Sequence, residues 1–381
     1  MIQRIAEKEI RKIAREFRAL AIVGPRQSGK TTLVKKIFPT KPYVSLEDPD
    51  TKQMATDDPR HFLSMYKNGA IIDEAQRVPA LFSYLQGILD NTKKNSLFVL
   101  TGSNNFLLQE NISQSLAGRI GYFDLAPLTI QEIKLFGSKL SSTEDWMLAG
   151  SYPEIFDKKR NPASWYASYI RTYVERDVRM IRNISSVNAF TKFLKLCAGR
   201  VGQQLNVSNM SMETGIDIKT IQNWLSVLES SFIIYQLPTH HKNFNRRLVK
   251  TPKLYFYDTG LACNLLGIKT ANELSLSHFR GALFENFIVS DIRKQQMNKS
   301  ELNNLFYWRD NKGIEIDLLL ESKNKLQPIE IKAGKTINND FVKNISFWND
   351  LATTKGGEII YGGSSSYIRP DKIKVTSYLD M

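Results

Sequence analysis

The chain has 381 residues, a net charge of +14 and a pI near 9.5, with 42% hydrophobic and 24% charged residues. That length exceeds one small core, so two or three domains are expected, and the composition excludes a disordered or fibrous chain. The basic balance favours a polyanionic partner, and no apolar run approaches the roughly 20 residues of a membrane helix.

The N-terminus reads as an amphipathic basic helix over Met1 to Arg18, with Ile2, Ile5, Ile10, Ile13 and Phe17 on one side, rather than a signal peptide. The apolar run Ala19 to Val23 is a strand signal. Gly24-Pro25-Arg26-Gln27-Ser28-Gly29-Lys30-Thr31 follows, and Thr32 to Phe38 continues as a helix. The octet matches G-x-x-x-x-G-K-[ST], a turn whose backbone N–H groups cradle the phosphates of a nucleotide such as ATP. Lys30 is expected on the β- and γ-phosphates, and the Thr31 hydroxyl on Mg²⁺. A strand, this loop and a helix N-terminus in series is what phosphate binding requires.

Tyr43 to Leu46 is the next strand, then Ala70-Ile71-Ile72-Asp73-Glu74, a short apolar strand ending in two carboxylates. Where the chain turns at that end both acids can face the nucleotide. Asp73 would hold Mg²⁺ through water, and Glu74 would orient or deprotonate the attacking water. Leu97 to Leu100 leads into Thr101-Gly102-Ser103-Asn104, where a hydroxyl or amide such as Asn104 can report on the γ-phosphate; the same residues are also ordinary turn formers. Arg119 precedes a strand at Ile120 to Leu125 and is placed either for a γ-phosphate, its own or a neighbouring subunit's, or for a surface ion pair.

Residues from about 17 to 135 resemble the ATPase core of the AAA+ superfamily. The segments GPRQSGKTT, IIDEAQRVP, LTGSNN, SLAGRI and LAPLT are similar to bacterial and archaeal AAA family ATPases that carry a DUF4143 domain. The resemblance implies a five-stranded parallel sheet with helices on both faces (residues 1–135), then a helical lid (136–185). Gly150 to Glu154 resembles a glycine–proline turn that in related signal-transduction ATPases approaches the adenine, and Tyr173 to Asp177 also fits the family pattern.

From about Ser186 short amphipathic helices follow: Ala189 to Ala198, Asn206 to Thr214, and Lys219 to Ser230 capped by Asp217. Strands at Phe232 to Leu237 and Lys253 to Tyr257 flank a basic loop, completing a winged-helix outline over 186–258. In a DNA-binding version Lys219, Thr220, Gln222 and Asn223 face the major groove, while His240, His241, Lys242, Asn243, Arg246 and Arg247 contact phosphates. A lid or protein-contact module has the same outline. Cys197 and Cys263 read as reduced core residues of a cytoplasmic protein.

In the last segment, 259–381, Gly313 to Leu320 and Leu326 to Lys332 alternate as two strands. A two-residue turn at Lys323-Asn324 sets Asp317 opposite Glu330 and Glu315 opposite Lys332, all on one face. Opposed carboxylates repel, and Mg²⁺ or Mn²⁺ between them would remove that penalty, with Lys332 polarising a metal-bound water. Glu285, on a preceding helix, is a third candidate ligand. Glu285, Asp317 and Glu330-Ile331-Lys332 resemble the scattered signature of the PD-(D/E)xK nuclease fold. The fold expected is therefore multidomain α/β: a P-loop core, helical lid, winged helix and a mixed restriction-endonuclease-like domain. The function expected is Mg²⁺-dependent ATP hydrolysis coupled to DNA, in a possible homo-oligomer. The alternative is an ATP-gated regulatory switch on an inactive nuclease-like scaffold.

Overall fold

The computed structural model describes residues 2–103, 108, 112, 114–138, 140–174, 187–240, 251–323 and 325–381. The chain divides into two compact units. The first is Met1–Leu128 with Ser230–Phe232 and Gln295–Glu301, and the second is the remainder.

The first unit is built on α1 (Glu7–Glu16), β1 (Ala19–Val23), α2 (Lys30–Ile37), β2 (Tyr43–Ser45), α3 (Pro49–Asp57), α4 (Pro59–Ser64), β3 (Ile71–Asp73), α5 (Ala80–Asp90), β4 (Phe98–Gly102) and β5 (Ile120–Asp124). The strands form one parallel sheet in the order β2-β3-β4-β1-β5. β1, β3 and β4 are buried at every residue, which requires cover on both faces. On one face Ile10 and Ile13 of α1 and Leu33, Val34 and Ile37 of α2 pack on Leu20, Ile22, Ile71, Val99 and Phe123. As expected from its short apolar run, β3 has only three residues.

The N-terminal helix is shorter than its periodicity predicted. It begins at Glu7, because Arg4 leaves the helical path to bond backbone carbonyls of the sheet's loops, leaving Ile2 outside the packed stripe.

The second unit opens with α6 (Ile130–Leu135), α7 (Thr143–Ala149), α8 (Pro153–Asp157) and α9 (Pro162–Tyr169), whose last turn widens into a π-turn at Ile170–Val174. Capping boxes at Thr129/Glu132 and Ser142/Asp145 start α6 and α7. Gly150, at φ 64, ends α7 where a Cβ would lie 2.0 Å from the Tyr166 hydroxyl and 2.6 Å from Asp258, so only glycine fits. Asp258 Oδ2 accepts from both the N–H and hydroxyl of Ser151 at 2.7 Å, holding the glycine–proline turn.

Next come α10 (Val187–Gly199), α11 (Val207–Thr214), α12 (Ile218–Ser230) and an antiparallel pair, β6 (Ile234–Leu237) with β7 (Lys253–Phe256). Asp217 accepts from Thr220 N–H at 2.9 Å, the cap predicted for α12. Lys219 and Gln222 are exposed, while Ile221, Trp224, Leu225 and Leu228 are buried. Cys197 and Cys263 are free and buried, and burial pushes both thiols up.

Three helices, α13 (Thr259–Leu265), α14 (Ala271–Leu276) and α15 (Arg280–Asn298), precede β8 (Leu305–Arg309), β9 (Glu315–Ser322) and β10 (Lys325–Lys332). α16 (Asp340–Ala352), β11 (Gly357–Tyr361), β12 (Tyr367–Ile368) and β13 (Ile373–Ser377) complete a mixed sheet in the order β12-β13-β11-β10-β9-β8. The β9–β10 register runs from Lys325 opposite Ser322 to Ile329 opposite Leu318, as the two-residue turn requires. It stops there. Between β8 and β9 the ladder shifts, with Phe306 opposite Leu319 but Trp308 opposite Ile316, so three steps of β9 face two of β8. This bulge at Asp317-Leu318 breaks the alternation, and Ile316 and Leu319 both pack against Trp348.

Candidate functional site

At the carboxyl end of β1 the phosphate loop is fixed by geometry that only its own residues satisfy. Gly24 sits at φ 157, where a Cβ would lie 2.1 Å from the Leu125 carbonyl oxygen. Gly29, at φ 90, is the left-handed N-cap of α2. Lys30 is buried, and its Nζ donates to the carbonyls of Gly24 at 2.8 Å and Pro25 at 2.9 Å. Arg4, also buried, donates to Ser28 O at 2.8 Å and Ala126 O at 2.7 Å, tying the loop to the segment after β5. Arg26 lies 3.7 Å from Glu47, and Thr32 is exposed on the first turn of α2. Among the described residues the Ser28 hydroxyl is buried and has no hydrogen-bond partner. A donor left unsatisfied inside a phosphate loop suits an anion, since such groups are normally paired.

Asp73 ends β3 with both carboxylate oxygens engaged. Oδ2 accepts from Thr31 Oγ1 at 2.9 Å and Tyr43 OH at 2.6 Å, and Oδ1 accepts from Thr101 Oγ1. Burial and the adjacent Asp73 push the Tyr43 phenol up, and Lys35 Nζ lies 3.5 Å over its ring. Glu74 turns out of the strand at φ 55, so its carboxylate leaves the sheet's alternation. Its Oε2 accepts from Gln76 Nε2 at 2.5 Å and Ser103 Oγ at 2.9 Å. A hydroxyl and a carboxylate side by side are hard oxygen donors of the kind Mg²⁺ takes. The structure thus brings Lys30, Thr31, Asp73 and Glu74 together around the expected loop. Tyr43, Gln76, Ser103, Thr101 and Arg4 complete it; of these, only the hydroxyls of Thr101 and Ser103, at the end of β4 and just after it, had a signal in the sequence.

Arg119 is placed differently. Ala19 pairs with Ile120 and Val23 with Asp124, so Arg119 lies at the amino end of the sheet, about 16 Å of strand from the phosphate loop. Its Nε is 2.5 Å from Asp90 Oδ1 on α5. An approach to the nucleotide of its own subunit is therefore excluded; the neighbouring-subunit role is untouched by this geometry. Asn104 lies outside the described residues, as do His241, Lys242, Asn243, Arg246, Arg247 and the acidic part of the Tyr173 to Asp177 segment. His240 is described and is buried, its ring edge-on to Phe306 at 5.6 Å and its backbone N–H donating to Tyr307 O at 2.6 Å, a placement that does not suit a phosphate contact.

In the mixed sheet the acidic residues gather, but each is matched by lysine. Lys332 Nζ lies 2.6 Å from Glu330 Oε2 and 3.2 Å from Asp317 Oδ2. Because of the bulge, Asp317 does not extend the ladder opposite Glu330; its Oδ2 accepts from Ile331 N–H at 2.8 Å. Glu315 is not opposite Lys332 in an ion pair. It binds Lys253 at 2.5 Å and Arg309 at 3.5 Å. Glu285 Oε1 accepts from Lys253 at 3.0 Å and from Tyr255 OH at 2.5 Å. Burial raises Glu285, and burial with the nearby Asp317 pushes Glu330 up to about 8. The Glu285, Glu315 and Asp317 carboxylates overcome the opposing effect of burial and raise Lys253. Among the described residues no three His, Cys, Asp or Glu side chains converge as a metal-binding group. Glu285, Asp317 and Glu330 are instead each held by an ammonium group, Glu285 by Lys253, and Asp317 and Glu330 by Lys332.

Comparison with known proteins agrees with this architecture. An AAA domain family matches residues 16–134, and two domains of unknown function, DUF8612 and DUF4143, match residues 140–272 and 280–380. An uncharacterized protein of Mycobacterium tuberculosis is 30% identical over 339 residues, covering 88% of this chain and 74% of its own length. One from Methanocaldococcus jannaschii is 26% identical over 336 residues, covering 80% and 72%. Among solved structures, a Walker-type ATPase of Pyrococcus abyssi has a TM-score of 0.47 at 13% identity, covering 68% of this chain and 94% of its own. AMPPCP-bound DnaA from Aquifex aeolicus has a TM-score of 0.31 at 13% identity, covering 59% and 86%. The chain belongs to the family of AAA-type ATPases that carry a DUF4143 domain. Its ATPase-type fold supports nucleotide binding and hydrolysis. No helix among the described residues is long and apolar enough to cross a membrane.

Proposed function

We propose that the chain is a Mg²⁺-dependent ATPase whose nucleotide cycle acts on DNA. The observation that carries the first half is the convergence of Thr31, Asp73 and Thr101 on one side and Glu74 and Ser103 on the other, at the carboxyl ends of β1, β3 and β4. Thr31 and Asp73 would hold Mg²⁺, which supplies charge neutralisation on the phosphates when bound. Lys30 exchanges its bonds to the Gly24 and Pro25 carbonyls for phosphate oxygens. Glu74, released from Gln76 or sharing it, orients the attacking water and accepts its proton. Arg119 serves a neighbouring subunit, in a homo-oligomer.

DNA is supported by the +14 charge and by the exposed Lys219 and Gln222 of α12, with the winged-helix outline of three helices and a hairpin. The DUF4143 domain is read as a scaffold rather than a nuclease, because Lys253 and Lys332 bridge its acids. Steady-state ATP turnover with Mg²⁺, with and without plasmid and single-stranded DNA at low and moderate salt, tests the reading. Stimulation that fades with salt is expected. Turnover indifferent to DNA would refute the DNA half and point to a protein partner.

A further inference from the structure

Lys253 is 3% exposed and begins a strand whose other residues, Leu254, Tyr255 and Phe256, are all buried. A lysine is placed in such a strand only where its charge is matched. Its Nζ reaches two carboxylates from two separate elements, Glu285 of α15 at 3.0 Å and Glu315 of β9 at 2.5 Å. The Tyr307 ring lies 5.6 Å from the same nitrogen. A divalent ion bound by these oxygens would sit at about 2.0–2.6 Å from them. It would overlap the ammonium in space and repel it in charge. Only one of the two cations can occupy the position.

We propose that Lys253 is the resident cation of this cluster: its ammonium takes the place between Glu285 and Glu315 that a divalent metal would need, and so withdraws Glu285 from metal binding. The lysine also has a structural reach. The chain on either side of residues 241–250 is tied to β8, through Tyr307 N–H to Pro238 O at 3.0 Å, His240 N–H to Tyr307 O at 2.6 Å and Tyr307 OH to Thr251 O. Lys253 extends that attachment from β8 to β9 and α15, so the hairpin stem is electrostatically stapled to the mixed sheet. This inference rests on the scaffold reading of the domain, and deepens it by naming what replaces the metal.

The test uses the full chain carrying Asp73→Asn, which silences metal binding at the nucleotide site. Mn²⁺ is titrated calorimetrically, and thermal midpoints are recorded with and without millimolar Mn²⁺, for Lys253 intact, Lys253→Met and Lys253→Arg. With Lys253 intact, no Mn²⁺ binding and no shift in midpoint are expected. Lys253→Met leaves buried Glu285 without a cation and Glu315 with Arg309 alone, so its midpoint falls by on the order of 10 °C. Mn²⁺ then binds and restores much of that loss. Lys253→Arg keeps the charge and takes up no Mn²⁺. Mn²⁺ binding to the lysine-intact protein that is abolished by Glu285→Gln would overturn the inference, even if Lys253→Met does not fold. So would a Lys253→Met protein with an unchanged midpoint and no affinity for Mn²⁺. DNA cleavage by the parent chain, lost on Asp317→Ala but unaffected by Glu285→Gln, would instead sink the scaffold reading while supporting the lysine's place.

Discussion

Gly24→Ala isolates what the backbone of the phosphate loop contributes. The added Cβ would lie 2.1 Å from Leu125 O, while tolerable contacts begin near 3.0 Å. One of the two segments must retreat by about 1 Å. The two segments are tied to each other, by Leu125 N–H on Val23 O at 2.7 Å and by buried Arg4, which holds both Ala126 O and Ser28 O, so relieving the clash strains the bonds that position the loop. The loop therefore moves, and with it the N–H groups and Lys30 that are proposed to meet the phosphates. A misplacement of 1 Å in a positioning group costs roughly 10²-fold in rate. We expect ATP turnover (kcat/KM) to fall by about that factor, with weaker binding of a fluorescent ATP analogue and circular dichroism unchanged. Near-normal turnover in a folded Gly24→Ala protein would refute the claim that the Leu125 carbonyl sets the loop's position.

Other substitutions probe separate parts of the site. Glu74→Gln is expected to retain nucleotide binding but lose about 10²–10⁴-fold in single-turnover hydrolysis; equal loss of binding would make Glu74 a structural residue. Arg119→Ala should leave turnover of the dilute, dissociated chain intact and lower it by about 10³-fold or more only at concentrations where subunits assemble. Loss at every dilution would contradict its position at the amino end of the sheet. Burial and the nearby Asp317 push Glu330 up to about 8 from an ordinary 4.5, against the lowering effect of Lys332, so the fold disfavours its charged form. Below pH 4.5 it imposes no penalty; the penalty grows as pH rises and is complete above about 8. Glu330→Gln should flatten the loss of stability across that window, read as urea midpoints at pH 5, 7 and 9.

The nucleotide site was legible because it is written locally. Gly24 to Thr31 is contiguous, its glycines answer backbone angles that other residues resist, and β1 and β3 announce themselves as short apolar runs. Asp217 as the α12 cap and the β9–β10 turn were likewise set by neighbours in sequence. Period-two alternation then carried the hairpin register as far as Leu318 and no further. The bulge that redirects Asp317 arises from pairing with β8, and no pattern within β9 announces it. The same holds for distant partners. Tyr43 and Thr101 meet Asp73 because β2, β3 and β4 are adjacent in the sheet. Arg119 is separated from the loop because every strand runs parallel, which sends the start of β5 to the opposite end. By itself the sequence determined the phosphate-loop motif and the order of elements. The tertiary structure alone decided that Lys253 meets Glu285 and Glu315, since a buried charge selects its partner by proximity in space.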